Sequence, residues 1–397
     1  MDKIDQLLTK RVERIYPTKQ ELEKVLRSGK KIKLYQGFDP SSANLHIGHL
    51  VGLLKLAEFQ EMGHEVIFLI GDFTGMIGDP TGKGSARRKL TKEEVLTNAR
   101  EYRKQAEKVL NFEGENGVKI LFNSSWNEKL SFGDVLELFS NVTVNQLVER
   151  DMFQERFKKG GEIWFHELCY PIIQGNDSVA MKIDLEIGGS DQMFNMMMGR
   201  HLVKKILNKE KYVLTTPLLC DEKGNKVGKT EGNAINLADK PEEFYGKVMA
   251  IPDEAIVPCF EMITRVVDGE VEKIRKEMKE GVNPMKVKKK LAYELTKMLN
   301  GENEAKRAEE YFEKIVQKKD LPNEVGEVEI EKGKVDVIKL MIKNKLVRSN
   351  KEGKRLVEQG GVSINGTRLD TGSLTIEVVD GMILKIGKRK YIKLLVR

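Results

Sequence analysis

His46 and His49 stand three residues apart in His46-Ile47-Gly48-His49, after a strand candidate at Lys33–Phe38 and a turn at Asp39-Pro40-Ser41-Ser42. Leu50, Leu53, Leu54, Ala57 and Phe59 give the following residues an apolar helical face. That pattern predicts a helix starting at the histidines, with both imidazoles in its first turn on one face. Helix N-termini attract phosphate through their N–H groups and the helix dipole. Two imidazoles there can donate hydrogen bonds to a phosphate that gathers charge in an in-line displacement. Gly48 lets a flat ring or backbone approach closely. The remaining histidines, His64, His166 and His201, show no ligand spacing, so no bound metal is expected.

The elements that must carry these groups alternate. Gly63 ends the first helix, and Val66–Ile70 is a wholly apolar strand of the kind buried on both faces. Val118–Phe122, Asp184–Ile187 and Tyr212–Leu214 read as further strands, with a helix from Asp191 to Leu207. This rhythm predicts an α/β fold with a Rossmann-like, doubly wound parallel sheet over 1–235. The stretch 126–183 reads as a helical insertion. A charged α-helical domain is expected over 236–318 and a linker over 319–334. A small α+β module follows over 335–397, with helices near Val335–Ile342 and Lys351–Gln359 and strands at Val362–Asn365, Thr375–Val378 and Ile392–Val396.

Charge is distributed unevenly. Residues 331–397 hold 16 Lys and Arg against 7 Asp and Glu, whereas the first 330 hold 52 against 54. A folded basic module of this kind points to phosphate backbones. No apolar run approaches the length of a membrane helix. The early acids of Met1–Gln6 do not read as a signal peptide. The three cysteines, Cys169, Cys220 and Cys259, are widely spaced and expected to be reduced, so the expected compartment is the cytoplasm.

The histidine tetrad after Gly37-Phe38-Asp39-Pro40-Ser41 resembles the first signature of the class I aminoacyl-tRNA synthetases. Asp221-Glu222-Lys223-Gly224-Asn225-Lys226-Val227-Gly228-Lys229-Thr230 resembles their second, a lysine-rich loop. The resemblance implies an ATP site in which Lys226 and Lys229 neutralise the β- and γ-phosphates as pyrophosphate leaves, with Thr230 adding a hydroxyl donor. Val227-Gly228 departs from the usual Met-Ser at the centre of that signature and leaves the role of its central hydroxyl open. Gly78–Gly84 is no P-loop, because Ile77 and Gly84 stand where Gly and Ser or Thr are needed. It is similar instead to a segment of the tyrosine-specific branch. By that likeness Asp79 would bind the substrate α-amino group, and Lys83 and Arg87 would help hold pyrophosphate.

Tyr170, Gln174 and Asp177 share one helical face by spacing, and polar groups inside an apolar helix need partners. In the tyrosine branch the residues matching Tyr35 and Asp177 bond the substrate phenol, while those matching Tyr170 and Gln174 hold its ammonium. Gly189 and Asp191 would bind the nucleotide, Gln192 the substrate, and Asp39 either the adenosine or the ammonium, beside Ser41. The tail Arg348–Val357 followed by Gly360–Gly366 is similar to the S4 RNA-binding module, with Lys351, Lys354 and Arg355 facing RNA. The resemblance spans the chain and implies ATP, with Mg²⁺ accompanying it, L-tyrosine and tRNA(Tyr) as partners. It also implies a homodimer through the insertion. Three rivals remain open at this stage. One is the tryptophan-specific relative, another a nucleotidyltransferase that adenylates a small acid, and the third an RNA-binding protein that has lost catalysis.

Overall fold

The computed structural model describes residues 2–79, 91–228, 234–314, 326–331, 333–365, 367–369, 374–387 and 390–396. The apolar run Val66–Ile70 lies in the third of six strands: β1 (Arg14–Tyr16), β2 (Lys33–Phe38), β3 (Glu65–Ile70), β4 (Lys119–Phe122), β5 (Leu185–Gly189) and β6 (Tyr212–Thr216). They form one sheet in the order β1-β6-β5-β2-β3-β4. The five strands from β2 to β6 are parallel, as the alternating pattern predicts. β1 runs antiparallel along β6 and makes the sheet mixed. Its three residues, one of them a charged Arg14, are too few to give a period, so the sequence does not announce it.

From β2 the chain moves outward through β3 to β4, then returns across β2 to β5 and on to β6. The direction of winding therefore reverses between β2 and β5. In open α/β sheets a crevice forms at such a point, at the carboxyl ends of the strands. The helix Leu50–Glu61 covers one face and is buried nearly all round, Lys55 and Gln60 included. Lys55 donates to the Leu7 carbonyl at 2.7 Å and pairs with Glu58, which also pairs with Arg11. Arg11 in turn donates to the Met262 carbonyl at 2.7 Å. This buried cluster ties the helix that follows the histidines to the helix Ile256–Ile263.

The insertion is helical as expected, with helices at Ser124–Asn127, Phe132–Phe139, Val144–Val148, Asp151–Lys158 and Phe165–Ala180. The last of these lies against the helix Met193–Leu207 at Gly175, where a Cβ would stand 3.2 Å from the Gly199 backbone nitrogen. A separate helical domain is expected over 236–318; its residues 236–308 belong to the same compact unit as the sheet, Met1–Ala308.

The second unit, Glu309–Arg397, contains β7 (Gly326–Ile330), β8 (Lys334–Asp336), β9 (Val362–Ile364), β10 (Thr367–Arg368), β11 (Thr375–Glu377), β12 (Ile383–Ile386) and β13 (Lys390–Val396). Five make a sheet in the order β10-β9-β12-β13-β7, and β8 pairs with β11. Two expectations change here. Part of the expected linker is strand β7, paired in parallel with β13; its alternation of Glu327, Val328, Glu329 and Ile330 is that of a half-buried edge strand. Val335 lies in β8, and the helix begins at Val337, capped by the Asp336 carboxylate. The helix Asn350–Glu358 ends where Gly360 takes a φ of +65°, a glycine stop of the expected kind. Gly353 seats this helix on the preceding one, since a Cβ there would stand 2.9 Å from Ile338. Lys351, Lys354 and Arg355 are exposed.

Candidate active site

A cavity of about 340 Å³ opens at the reversal point between β2 and β5. Tyr35, Gly37, Asp39, Ser41, His46, Gly48, His49, Asp79, Tyr170, Gln174, Asp177, Gly189, Asp191, Gln192 and Lys226 all line it. These are the crevice residues named from the sequence, drawn together from positions up to 191 apart. Lys83, Arg87, Lys229 and Thr230 lie outside the described residues.

At the mouth, the local geometry differs from expectation. His46 is the N-cap of a short 3₁₀ turn, Ile47–His49, and only then does the α-helix begin at Leu50. His46 Nδ1 accepts the Gly48 N–H at 3.1 Å, and His49 Nδ1 accepts the His46 N–H at 3.0 Å. A ring nitrogen that accepts carries no proton, so both imidazoles hold theirs on Nε2. The rings lie 4.0 Å apart between centroids. The flat ring that Gly48 admits is that of His46, because a Cβ at residue 48 would come within 2.9 Å of it.

Gly228 accounts for the unusual centre of the lysine-rich segment. It adopts φ +73°, and a Cβ there would stand 2.6 Å from Ile47 Cγ1. Val227 is buried and donates its N–H to the Leu219 carbonyl at 2.9 Å. Val-Gly thus packs the segment onto the histidine turn. Lys226 reaches Asp191 at 3.5 Å, both side chains substantially exposed.

The floor is buried and densely bonded. Asp177 accepts from Trp126 Nε1 at 2.8 Å, Asn127 Nδ2 at 3.1 Å and Asn123 Nδ2 at 3.2 Å. Burial outweighs these donors and raises its carboxyl to about 7. The Tyr35 hydroxyl lies 3.0 Å from Ser178 Oγ rather than on Asp177, and burial pushes the phenol well above its ordinary value. Tyr170 donates to Asp39 at 2.7 Å, and Thr74 donates to the other Asp39 oxygen at 2.7 Å. Gln192 donates to Asp79 at 2.7 Å.

Several of these partners were not foreseen. Asn123, Trp126 and Asn127 follow the carboxyl end of β4, where a polar cluster is a readable signal. Glu186, alone in an apolar strand, was a weaker one. Glu186 forms a buried ion pair with Lys211, and nothing in the sequence pairs the two. Gln105 also escapes notice, yet its side chain bonds Leu45 N at 2.8 Å and the Ala43 carbonyl at 3.0 Å, fixing the loop before the histidines.

A mixed sheet whose parallel strands leave a crevice at their reversal point, with imidazole and ammonium groups at the mouth and buried acceptors below, defines an α/β protein with a built site. Residues 27–317 match the family described as tRNA synthetases class I (W and Y), and residues 317–394 match the tyrosine–tRNA ligase SYY-like C-terminal domain. The chain belongs to the class I tRNA synthetases, in the branch that handles tryptophan and tyrosine. It is 41% identical to a tyrosine–tRNA ligase of Thermotoga maritima over 98% of this chain and 96% of that one. To its counterpart in Aquifex aeolicus it is 39% identical over 94% and 93%. The fold is shared with a C-terminally truncated mitochondrial tyrosyl-tRNA synthetase of Aspergillus nidulans (TM-score 0.67, 24% identity, 78% of this chain and 93% of that one). A tyrosyl-tRNA synthetase of Archaeoglobus fulgidus complexed with L-tyrosine also shares it (TM-score 0.60, 22% identity, 77% and 98%).

Proposed function

We infer that the chain is a tyrosine–tRNA ligase, and the observation that carries its choice of amino acid is the buried floor where Tyr35 and Asp177 line one cavity. The tyrosine carboxylate attacks the α-phosphorus of ATP, forming tyrosyl-adenylate and releasing pyrophosphate. A ribose hydroxyl at the 3′ end of tRNA(Tyr) then attacks the activated carbonyl, and AMP leaves. No side chain acts as a covalent nucleophile; rate enhancement comes from positioning and charge stabilisation.

In this reading Tyr35 and Asp177 bond the phenolic hydroxyl, and an analogue lacking it leaves buried partners unpaired. Tyr170, Gln174 and Asp79 hold the ammonium, and Gln192 orients the substrate from beside Asp79. His46 and His49 present Nε2–H donors to the phosphates. Gly37, Asp39, Ser41, Gly48, Gly189 and Asp191 bound the adenosine. Lys226 faces the departing pyrophosphate, with Lys83, Arg87, Lys229 and Thr230 assigned to the same task by the family pattern. Mg²⁺ accompanies ATP, with no resident metal.

The basic second unit is read as an S4-type module whose Lys351, Lys354 and Arg355 meet tRNA phosphates. The insertion is read as a homodimer interface. Phe132, Val144, Trp164 and Phe165 are all more than half exposed on it, and an apolar surface of this kind marks a protein contact. The reading places the enzyme in the cytoplasm. ATP–pyrophosphate exchange with each amino acid in turn tests the specificity: exchange with tyrosine alone is expected, and exchange with tryptophan alone, or with neither, overturns it.

A further inference from the structure

Glu186 and Lys211 form an ion pair with essentially no solvent exposure beneath the crevice. Removing two charges from water is expensive, and an apolar pair of similar volume is often at least as stable. The fold makes room for the pair: a Cβ at Gly199 would stand 2.5 Å from Lys211 Nζ. Glu186 is opposite Tyr35 in the register of β2 and β5, and it lines the cavity.

The two carboxylate oxygens have different partners. Oε2 takes Lys211 and, at 3.3 Å, the Ser178 hydroxyl. Oε1 takes Gln174 Nε2 at 3.2 Å. A carboxylate only accepts, so the group of Gln174 that faces it must be the NH₂. The carbonyl oxygen of Gln174 is then the atom left for a ligand, and an ammonium needs an acceptor.

We propose that Glu186, ion-paired with Lys211, is a positioning residue that locks the Gln174 amide with its carbonyl oxygen toward the substrate ammonium. The proposal rests on the reading that Gln174 receives that ammonium. Equilibrium binding of L-tyrosine and of its deamino analogue, 3-(4-hydroxyphenyl)propanoate, tests it without turnover. Glu186→Met with Lys211→Met removes both charges and the lock. Tyrosine should bind roughly tenfold more weakly, the loss of one directed hydrogen bond, while the analogue is unaffected.

Glu186→Gln is the sharper variant and keeps the shape. Lys211 claims its amide oxygen, its NH₂ then faces Gln174, and Gln174 must turn its own NH₂ toward the ammonium. Tyrosine affinity should fall further than in the double variant, again with the analogue spared. Preference for tyrosine over the analogue that is unchanged in whichever of these variants folds overturns the proposal. Gln174→Met separates the two levels. If it leaves the preference intact, the assignment of Gln174 to the ammonium fails. If it lowers the preference while the Glu186 variants do not, only the positioning role fails.

Discussion

The floor and the mouth of the crevice solve opposite electrostatic problems. At the floor, Tyr35, Asp177, Glu186 and Lys211 are almost completely shielded from solvent, and each is bonded to a neighbour. At the mouth, Lys226 is 47% exposed and Asp191 36%. Buried acceptors recognise one neutral hydroxyl sharply because an unmatched partner cannot turn to water. Exposed cations cannot discriminate in that way, but they can follow a charge that appears and departs during reaction. On the proposed reading recognition belongs to the floor and rate to the mouth, and variants should separate the two.

The largest effect is expected at the mouth. His46→Ala or His49→Ala removes an Nε2–H donor proposed to face developing phosphate charge, at an expected cost of roughly 10²–10³-fold in the rate of adenylate formation. KM for tyrosine should stay within twofold. A rise in tyrosine KM that accounts for the whole loss would break the division between floor and mouth. Asp177→Ala tests the other side. It deletes the acceptor proposed for the phenol and strands the donors of Trp126, Asn123 and Asn127, so preference for tyrosine over phenylalanine should drop by roughly 10²-fold. Pyrophosphate exchange with each amino acid measures it, and a variant that still strongly prefers tyrosine removes Asp177 from the phenol site.

Acidity gives the floor a signature of its own. The Asp177 carboxyl, raised by burial from 3.8 to about 7, keeps its proton in the folded state over a range where the unfolded chain has lost it. Stability from this group is therefore full below pH 4 and lost as pH rises toward 7. Asp177→Asn, neutral throughout, should gain on the parent as pH rises from 5 to 8, by on the order of a few kcal/mol. Denaturant titrations of both proteins without ligand measure the difference. A gap between them that does not widen with pH contradicts the burial argument.

The sequence carried the crevice further than it carried the bonding inside it. Strands β2 to β6 were visible because apolar runs and glycine stops recur at short intervals, and chemistry at their carboxyl ends follows from topology. Tyr170, Gln174 and Asp177 were visible as polar residues on one face of an apolar helix, whereas Tyr35 came only from the family resemblance. Which of them would bond which was not visible. The Tyr35 hydroxyl goes to Ser178 and Gln174 to Glu186, and such choices depend on distances between strands and helices that periodicity does not encode. β1 and β7 were missed for different reasons. The first is too short for a pattern, and the second carries acidic residues on its solvent side that read as a linker. Lys211 sits among polar residues before β6, and only the space beside Gly199, where a Cβ would stand 2.5 Å from Lys211 Nζ, shows that its tip ends in the interior.

The smallest effect is expected in the second unit, and it extends the rule of the mouth to a binding surface. Lys351, Lys354 and Arg355 project from the helix Asn350–Glu358, whose opposite side buries Gly353 and Val357. Because the helix is anchored through that buried side, replacing all three by alanine should leave the fold intact, along with tyrosine-dependent pyrophosphate exchange. KM for tRNA should rise about tenfold at moderate salt. Removing one cation from a phosphate lowers the slope of log affinity against log salt by about 0.7–0.9, so the salt dependence should flatten by up to three such steps. Weaker tRNA binding with the slope unchanged would mean that these residues do not meet phosphate. Impaired pyrophosphate exchange would mean that the second unit bears on adenylate formation, and the separation of recognition from charge would then have to be drawn elsewhere.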